Sequence, residues 1–120
     1  PIGVICMQRL VEYVSKNGGM TYNLMTGEMP TTGFMCAVSS NECILDHAMT
    51  ENDLIAYIYC HLSDLQKLNA HVGVWYNHED GKTYLDTSYR FDNVDSALQF
   101  ARDNHQLAIF DLATYEEIRL

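Results

Sequence analysis

The dipeptide Asp80-Gly81 is the feature that most constrains the fold of this chain. It separates residues 71–77 (HVGVWYN) from residues 82–89 (KTYLDTSY), two segments rich in β-branched and aromatic side chains. An Asp-Gly pair flanked in this way indicates a β-hairpin, because glycine readily takes the positive φ of tight turns. The sequence therefore predicts two antiparallel strands that are joined within residues 78–81.

The length of the turn decides which side chains share a face of this hairpin. A three-residue loop with Gly81 as a bulge pairs His78 with Lys82, whereas a four-residue loop pairs Asn77 with Lys82. Asp-Gly turn chemistry favours the first arrangement, and the matching of apolar residues favours the second. A shift of one residue exchanges the two faces of a strand, so both registers stay open from the sequence.

Helical spacing of apolar residues predicts three helices. The first covers about residues 6–16 and ends at Asn17-Gly18-Gly19. The second begins after Thr50, an N-cap residue with Asp53 in the capping-box position, and runs to about Leu68. The third is capped by Asp92 or Asn93 and ends near residue 104.

The remaining apolar segments predict strands. Residues 20–22 and 33–38 are separated by a turn-rich loop, so they indicate a loose β-hairpin or a β-arch. Ile44-Leu45 indicates a brief strand, and residues 107–112 indicate a buried one, followed by a polar tail. We expect an α+β fold in the order α-ββ-α-ββ-α-β, with an antiparallel or mixed sheet of about five strands and two or three helices packed on one face.

Length and charge bound the class of protein. The 120 residues suit a single domain, with a core over 18–118 and an N-terminal helix within 1–17 that can be peripheral. The formal charge of −9 arises from 16 acidic but only 7 basic residues, which disfavours direct nucleic-acid binding and anionic membranes. An acidic protein can instead bind a basic groove of another protein.

Cellular location follows from the cysteines and the apolar runs. Residues 1–6 lack the basic start and apolar centre of a signal peptide, and no apolar run approaches the ~20 residues that span a bilayer. The four cysteines show no C-x-x-C spacing, so we expect reduced thiols in a cytoplasm. A bridge between Cys36 and Cys43 across a turn is the alternative.

The candidate binding residues are aromatic and polar side chains of the hairpin and of the last strand. In the four-residue-loop register, the hairpin side chains form one surface, dented at Gly73. Alternatively, Trp75 completes the core, and Asp86 caps a loop or pairs with an arginine. Asp111 can hold backbone amides of the next turn or act as an acid. The five candidates are His71, Trp75, Tyr84, Asp86 and Asp111.

Catalytic and cofactor motifs are weak in this sequence. Cys60-His61 are neighbours on a helix and point in different directions, and Gly18-Gly19 lacks the pattern of a phosphate loop. We therefore expect no catalytic residue, no metal site and no cofactor, and the sequence favours a protein without enzymatic activity.

A dispersed pattern resembles small domains of bacteriophage and mobile-element proteins. The match covers about residues 18–118. The segments that carry it are 19–21, 26–34 (TGEMPTTGF), 73–77 (GVWYN), 81–86 (GKTYLD) and 104–112 (NHQLAIFDL). This resemblance implies a phage-linked accessory role in the cytoplasm of a bacterial host, but it assigns no activity and no functional residues.

Three functions follow as hypotheses. The first is a protein-binding accessory domain whose partner is a host or phage protein, for example an inhibitor of a host defence protein. The second is a small enzyme or nucleotide-binding protein that uses His71, Asp86 and Asp111 around a pocket of the sheet. The third is a self-associating structural domain. The sequence leaves the oligomeric state open.

Overall fold

The computed structural model describes residues 6–120 and shows an α+β fold. The helices are α1 (Met7–Asn17), α2 (Glu51–Cys60), α3 (Leu62–Leu65) and α4 (Val94–Asp103). The strands are β1 (Gly19–Tyr22), β2 (Phe34–Leu45), β3 (Ala70–Asn77), β4 (Lys82–Phe91), β5 (Ala108–Asp111) and β6 (Glu116–Arg119). They form one antiparallel, curled sheet in the order β1-β3-β4-β2-β5-β6. The predicted fold class is confirmed, whereas the polar tail predicted after residue 112 contains a sixth strand.

The central hairpin adopts the four-residue loop. Asn77 pairs with Lys82, and Trp75 pairs with Tyr84. Two side chains hold the turn: Asn77 Oδ1 accepts the Glu79 amide at 2.9 Å, and Asp80 Oδ1 accepts the Lys82 amide at 2.9 Å. Gly81 has a φ of 70°, which glycine adopts without strain. Together with the hydrogen bond from the Gly81 amide to the Asn77 carbonyl at 2.8 Å, these bonds hold a four-residue loop without a bulge at Gly81.

Both predicted caps at the starts of α2 and α4 are present. Thr50 Oγ1 accepts the Asp53 amide at 3.2 Å while Asp53 Oδ2 accepts the Thr50 amide at 2.9 Å, a complete capping box. Asn93, rather than Asp92, caps α4. The predicted helix to Leu68 is wrong in its second half: α2 ends at Cys60, and α3 follows as a separate short turn of helix.

Of the two arrangements predicted for the first two strands, a β-hairpin or a β-arch, the hairpin is wrong because β1 and β2 do not pair with each other. β1 pairs with β3 at one edge of the sheet, whereas β2 lies between β4 and β5. Residues 23–33 therefore cross the sheet near the end of β4, where Arg90 Nε donates a hydrogen bond to the Thr32 carbonyl at 2.8 Å. The brief strand predicted at Ile44-Leu45 is the end of the long strand β2.

The four helices cover one face of the sheet, which we call the helical face. Residues that pair directly across antiparallel strands share a face. On this basis the inner positions of all six strands meet the helices, in two apolar clusters. One cluster packs α1 and α2 against β1, β3 and β4, and the other packs α4 against β2 and β5. The opposite side of the sheet, the open face, carries no helix.

A wide bulge interrupts β2 opposite the middle of β4. Val38 pairs with Thr87 and Cys43 pairs with Leu85, so residues 39–42 stand opposite the single residue Asp86. A buried polar network holds this bulge on the helical face. The Tyr57 hydroxyl donates to the Asn41 carbonyl at 2.8 Å and lies 3.0 Å from Thr87 Oγ1. Asn41 Nδ2 donates to Thr87 Oγ1 at 3.2 Å. It also donates to Asp64 Oδ2 at 3.0 Å.

The four cysteines carry free thiols, so the alternative of a bridge between Cys36 and Cys43 is not observed. Cys36 is buried beneath α4, and this burial raises the pKa of its thiol to about 11. Within residues 6–120, no helix combines the length and the apolar character that crossing a membrane requires.

Candidate functional site

A broad trough of about 1280 Å³ occupies the open face of the sheet. Its floor is formed by the middle of β3 and β4. One end is bounded by residues 29–31 of the crossing loop, and the other by Trp75 and Tyr84. The curl of the sheet brings Phe110 and Glu117, from β5 and β6, to its side. All six strands, the crossing loop and the C-terminal end of α1 thus contribute to one concave surface.

Gly73 and Asp86, which pair directly across β3 and β4, both lie in the floor of the trough. A methyl group on Gly73 would overlap the Asp86 carboxylate, so the carboxylate lies over the glycine backbone. On its other side Asp86 faces the bulge in β2, which removes the neighbouring strand position and brings Glu42 to the trough. Asp86 therefore stands in a recess that has no side chain on the Gly73 side and is bordered by Glu42 on the other.

The electrostatic surroundings of Asp86 disfavour its charged form. Burial raises the pKa of its carboxyl, the Ser88 hydroxyl opposes that shift by donating to Oδ1 at 2.6 Å, and the charge of Glu42 adds to it. Within residues 6–120, no ion pair involves Asp86. The predicted alternative of a structural partnership between Asp86 and an arginine is therefore not observed in this part of the chain.

An aromatic pair forms the rim of the trough beside this recess. Trp75 is 54% exposed, so it does not complete the core. Its ring centroid lies 5.4 Å from that of Tyr84, with the two planes inclined by 30°. The Tyr84 hydroxyl donates to Asp80 Oδ2 at 2.6 Å, which fixes the ring against the hairpin loop. The pair presents a rigid apolar surface to solvent.

His71 shares the open face with Trp75 and Asp86 but does not reach solvent. It is 3% exposed and lines a smaller cavity beneath the crossing loop, with Asn69 and Arg90. Its Nδ1 lies 2.9 Å from the Asn69 carbonyl. Burial, with a smaller contribution from the charge of Arg90, lowers the pKa of His71 despite this bond. His71 thus lies buried beneath the crossing loop, at the end of the trough, and does not line the trough itself.

Asp111 is separated from the other four candidates. It pairs with Phe34 and therefore lies on the helical face of the sheet. Its Oδ1 accepts the Ala113 amide at 2.9 Å, which holds the turn between β5 and β6. This is the turn-holding role that the sequence offered as one of two alternatives. The structure thus unites Trp75, Tyr84 and Asp86, adds His71 beneath them and leaves Asp111 apart.

Sequence reasoning missed the contributions of β2, β5 and β6 to the trough. Glu42, Phe110, Tyr115 and Glu117 line it because of the bulge and the sixth strand. The polar run Ser39-Ser40-Asn41 inside an apolar strand was the available signal for the bulge. Among the described residues, no group of three or more histidine, cysteine or acidic side chains is arranged to hold a metal ion.

We expect Asp86→Asn to stabilise the protein at neutral pH by on the order of 1 kcal/mol. The folded-state pKa of the Asp86 carboxyl is raised above the ordinary value of 3.8, so the folded state binds more protons than the unfolded state. The free energy of unfolding therefore falls as the pH rises from the ordinary pKa through the raised one. Asparagine keeps an acceptor for Ser88 and removes the charge. Urea denaturation at several values between about pH 4 and pH 7 measures both the gain and the flatter pH profile.

The matched control for this prediction is Glu79→Gln, which removes one negative charge from the exposed hairpin loop. We expect it to change the free energy of unfolding by less than about 0.5 kcal/mol. An Asp86→Asn variant that is less stable than the wild type at neutral pH would show that the charged carboxylate stabilises the fold.

Comparisons with known proteins leave the trough to be interpreted from its own chemistry. No protein-family model matches the chain, and no significant match is found among curated proteins or solved structures.

Proposed function

We propose that this chain is a binding module for another protein, and that the trough on the open face holds the partner. The observation that carries the proposal is the half-exposed Trp75, packed against the partly exposed Tyr84 beside the recessed Asp86. Tryptophan and tyrosine supply much of the binding energy at protein interfaces, because they bury a large area at a small cost in side-chain entropy. A rigid aromatic pair next to a recess is suited to anchoring a partner side chain.

Further exposed apolar side chains extend the surface. Ile44 lies next to Tyr84 on β2 and is 52% exposed. Phe110 and Tyr115, at the other side of the trough, have ring centroids 6.2 Å apart. The aromatic pairs and the aliphatic residue frame one continuous face, which has the composition of an interface rather than of an ordinary solvated sheet.

The charge of the trough favours a protein partner over a nucleotide. Asp86, Glu42 and Glu117 contribute carboxylates, whereas Lys16 supplies one cation among the described lining residues. Carboxylates repel phosphate groups, but they attract the basic surface of another protein, and the formal charge of −9 extends that attraction. Inhibition of a host defence protein, which the phage resemblance suggests, is one form of this proposal, since occupying a surface of the target suffices.

Site-specific photo-cross-linking in bacterial cells tests the proposal. A benzophenone amino acid replaces Trp75 in one variant and Tyr59 in the other. Tyr59 is the matched control because it is also an exposed aromatic residue, at 71%, but it lies on α2 behind the sheet. We expect a discrete cross-linked partner from position 75, which excess wild-type protein competes away, and none from position 59.

Two outcomes would contradict the proposed function. Identical sets of cross-linked proteins from positions 75 and 59 would mean that contacts are non-specific. A product from position 75 with twice the mass of the chain would identify a second copy as the occupant, which is the self-association hypothesis.

A further inference from the structure

We infer that the recess formed by Gly73, Asp86 and the β2 bulge accepts an arginine side chain of the partner protein. This inference rests on the proposed function and adds the chemistry of the residue that is recognised. One guanidinium group of the partner lies against the Asp86 carboxylate and alongside the aromatic pair.

The Asp86 carboxylate has one oxygen available for such a group. Ser88 donates to Oδ1. Among residues 6–120, every fully buried side-chain nitrogen or oxygen atom has a hydrogen-bond partner. Asp86 Oδ2 accepts no hydrogen bond from these residues, so this atom is not fully buried. It is therefore accessible from the trough, which Asp86 lines. A donor from outside completes the hydrogen bonding of the carboxylate, and a charged donor also compensates for its burial.

The aromatic pair lies one step further along the same two strands. Trp75 follows Gly73 by two residues on β3, and Tyr84 precedes Asp86 by two on β4. Two residues of a strand span about 7 Å. A guanidinium group bound to Asp86 is planar and can place its face or its methylene stem against these rings. A lysine ammonium is a compact, strongly hydrated charge and uses such a surface less well.

The space and the charge around the recess also fit a guanidinium group. Glycine at position 73 leaves the carboxylate uncovered from the β3 side, and on the β2 side the bulge leaves no residue directly paired with Asp86. Glu42 lines the trough next to Asp86, and its charge acts on the carboxyl. A single cation entering between Glu42 and Asp86 therefore relieves the repulsion between two carboxylates as well as the burial of one.

Titration with short peptides tests the inference by following backbone amide resonances in NMR spectra. The probes are acetyl-Gly-Arg-Gly-amide, its lysine analogue and its citrulline analogue, which keeps the shape of arginine without the charge. We expect saturable shifts confined to residues 71–75 and 84–88. We also expect the arginine peptide to bind at least about tenfold more tightly than the citrulline peptide and more tightly than the lysine peptide.

Two variants separate the charge of the recess from its shape. Asp86→Asn removes the charge, and we expect the arginine peptide to lose its advantage over citrulline. Gly73→Ala keeps the charge but places a methyl group where the carboxylate lies, so the carboxylate must move. We expect it to weaken arginine binding at least about fivefold. The amide spectrum of each variant shows that it is folded.

The outcomes distinguish this inference from the proposed function. Equal binding of arginine and citrulline peptides, tighter binding of lysine, or unchanged arginine binding by Asp86→Asn would overturn the inference. A partner that still cross-links at position 75 in the Asp86→Asn variant, with unchanged yield, would also overturn it and leave the binding function intact. Selective arginine binding with no cross-linked protein would overturn the binding function while supporting guanidinium recognition.

Discussion

Leu54→Ala is expected to lower the free energy of unfolding by about 3 kcal/mol. Leu54 is fully buried on α2, where it belongs to the larger apolar cluster between the helices and the sheet. Alanine has the higher helix propensity, so the loss comes from the removed side chain and the cavity it leaves. Urea denaturation followed by circular dichroism measures this loss. We expect a lower midpoint of unfolding and an unchanged slope of the free energy of unfolding against urea concentration.

Ile44→Ala is the control for this substitution. Ile44 is also a large aliphatic side chain, but it is half-exposed on the open face. We expect its replacement to change the free energy of unfolding by less than about 1 kcal/mol, because little apolar area is removed from contact. Equal losses of stability would mean that Ile44 is packed as closely as Leu54, which would contradict its half-exposed position on the open face.

Thr87→Val is expected to lower the free energy of unfolding by about 1–2 kcal/mol. The two side chains have almost the same shape, so packing in the strand is kept. The hydroxyl that meets both Tyr57 and Asn41 is lost, and their hydrogen-bonding groups remain buried. An unmade hydrogen bond in a buried site is more costly than one at the surface, because water cannot replace the partner.

A double-mutant cycle with Tyr57→Phe checks that the effect belongs to the network. The combined variant should lose less stability than the sum of the two single variants, by about 0.5 kcal/mol or more, because each removes part of the same set of bonds. Strict additivity would mean that Thr87 and Tyr57 act independently, and the bulge would then be held by other contacts.

The local elements of this fold are predictable from short stretches of sequence. The hairpin at Asp80-Gly81, the cap at Thr50 and the end of α1 at Gly18 each depend on a few neighbouring residues. The hairpin register is decided by side chains of the turn. Asn77 and Asp80 both accept loop amides in the four-residue arrangement, and Asp-Gly statistics alone do not include the contribution of Asn77.

The parts of the site that depend on distant contacts were not predictable. The segment 116–119 is polar and becomes a strand because β5 offers it an edge. The crossing loop is defined by pairings at both of its ends, and these pairings involve strands far away in the sequence. The bulge in β2 is stabilised by Tyr57 and Thr87, which lie 16 and 46 residues away from Asn41 in the sequence. Alternation within the hairpin nevertheless placed Trp75, Tyr84 and Asp86 together once the register was known.

The two outermost strands of the sheet impose a restriction on how a partner can approach. β1 and β6 are four residues long, and β6 carries Glu116, Glu117 and Arg119. Borders that are so short offer few unsatisfied main-chain groups for an incoming chain to extend the ladder. Under the proposed function, the partner must then be recognised through the identity of side chains rather than through backbone pairing that any sequence could supply. The short border strands would thus make the proposed binding selective through the architecture of the sheet itself.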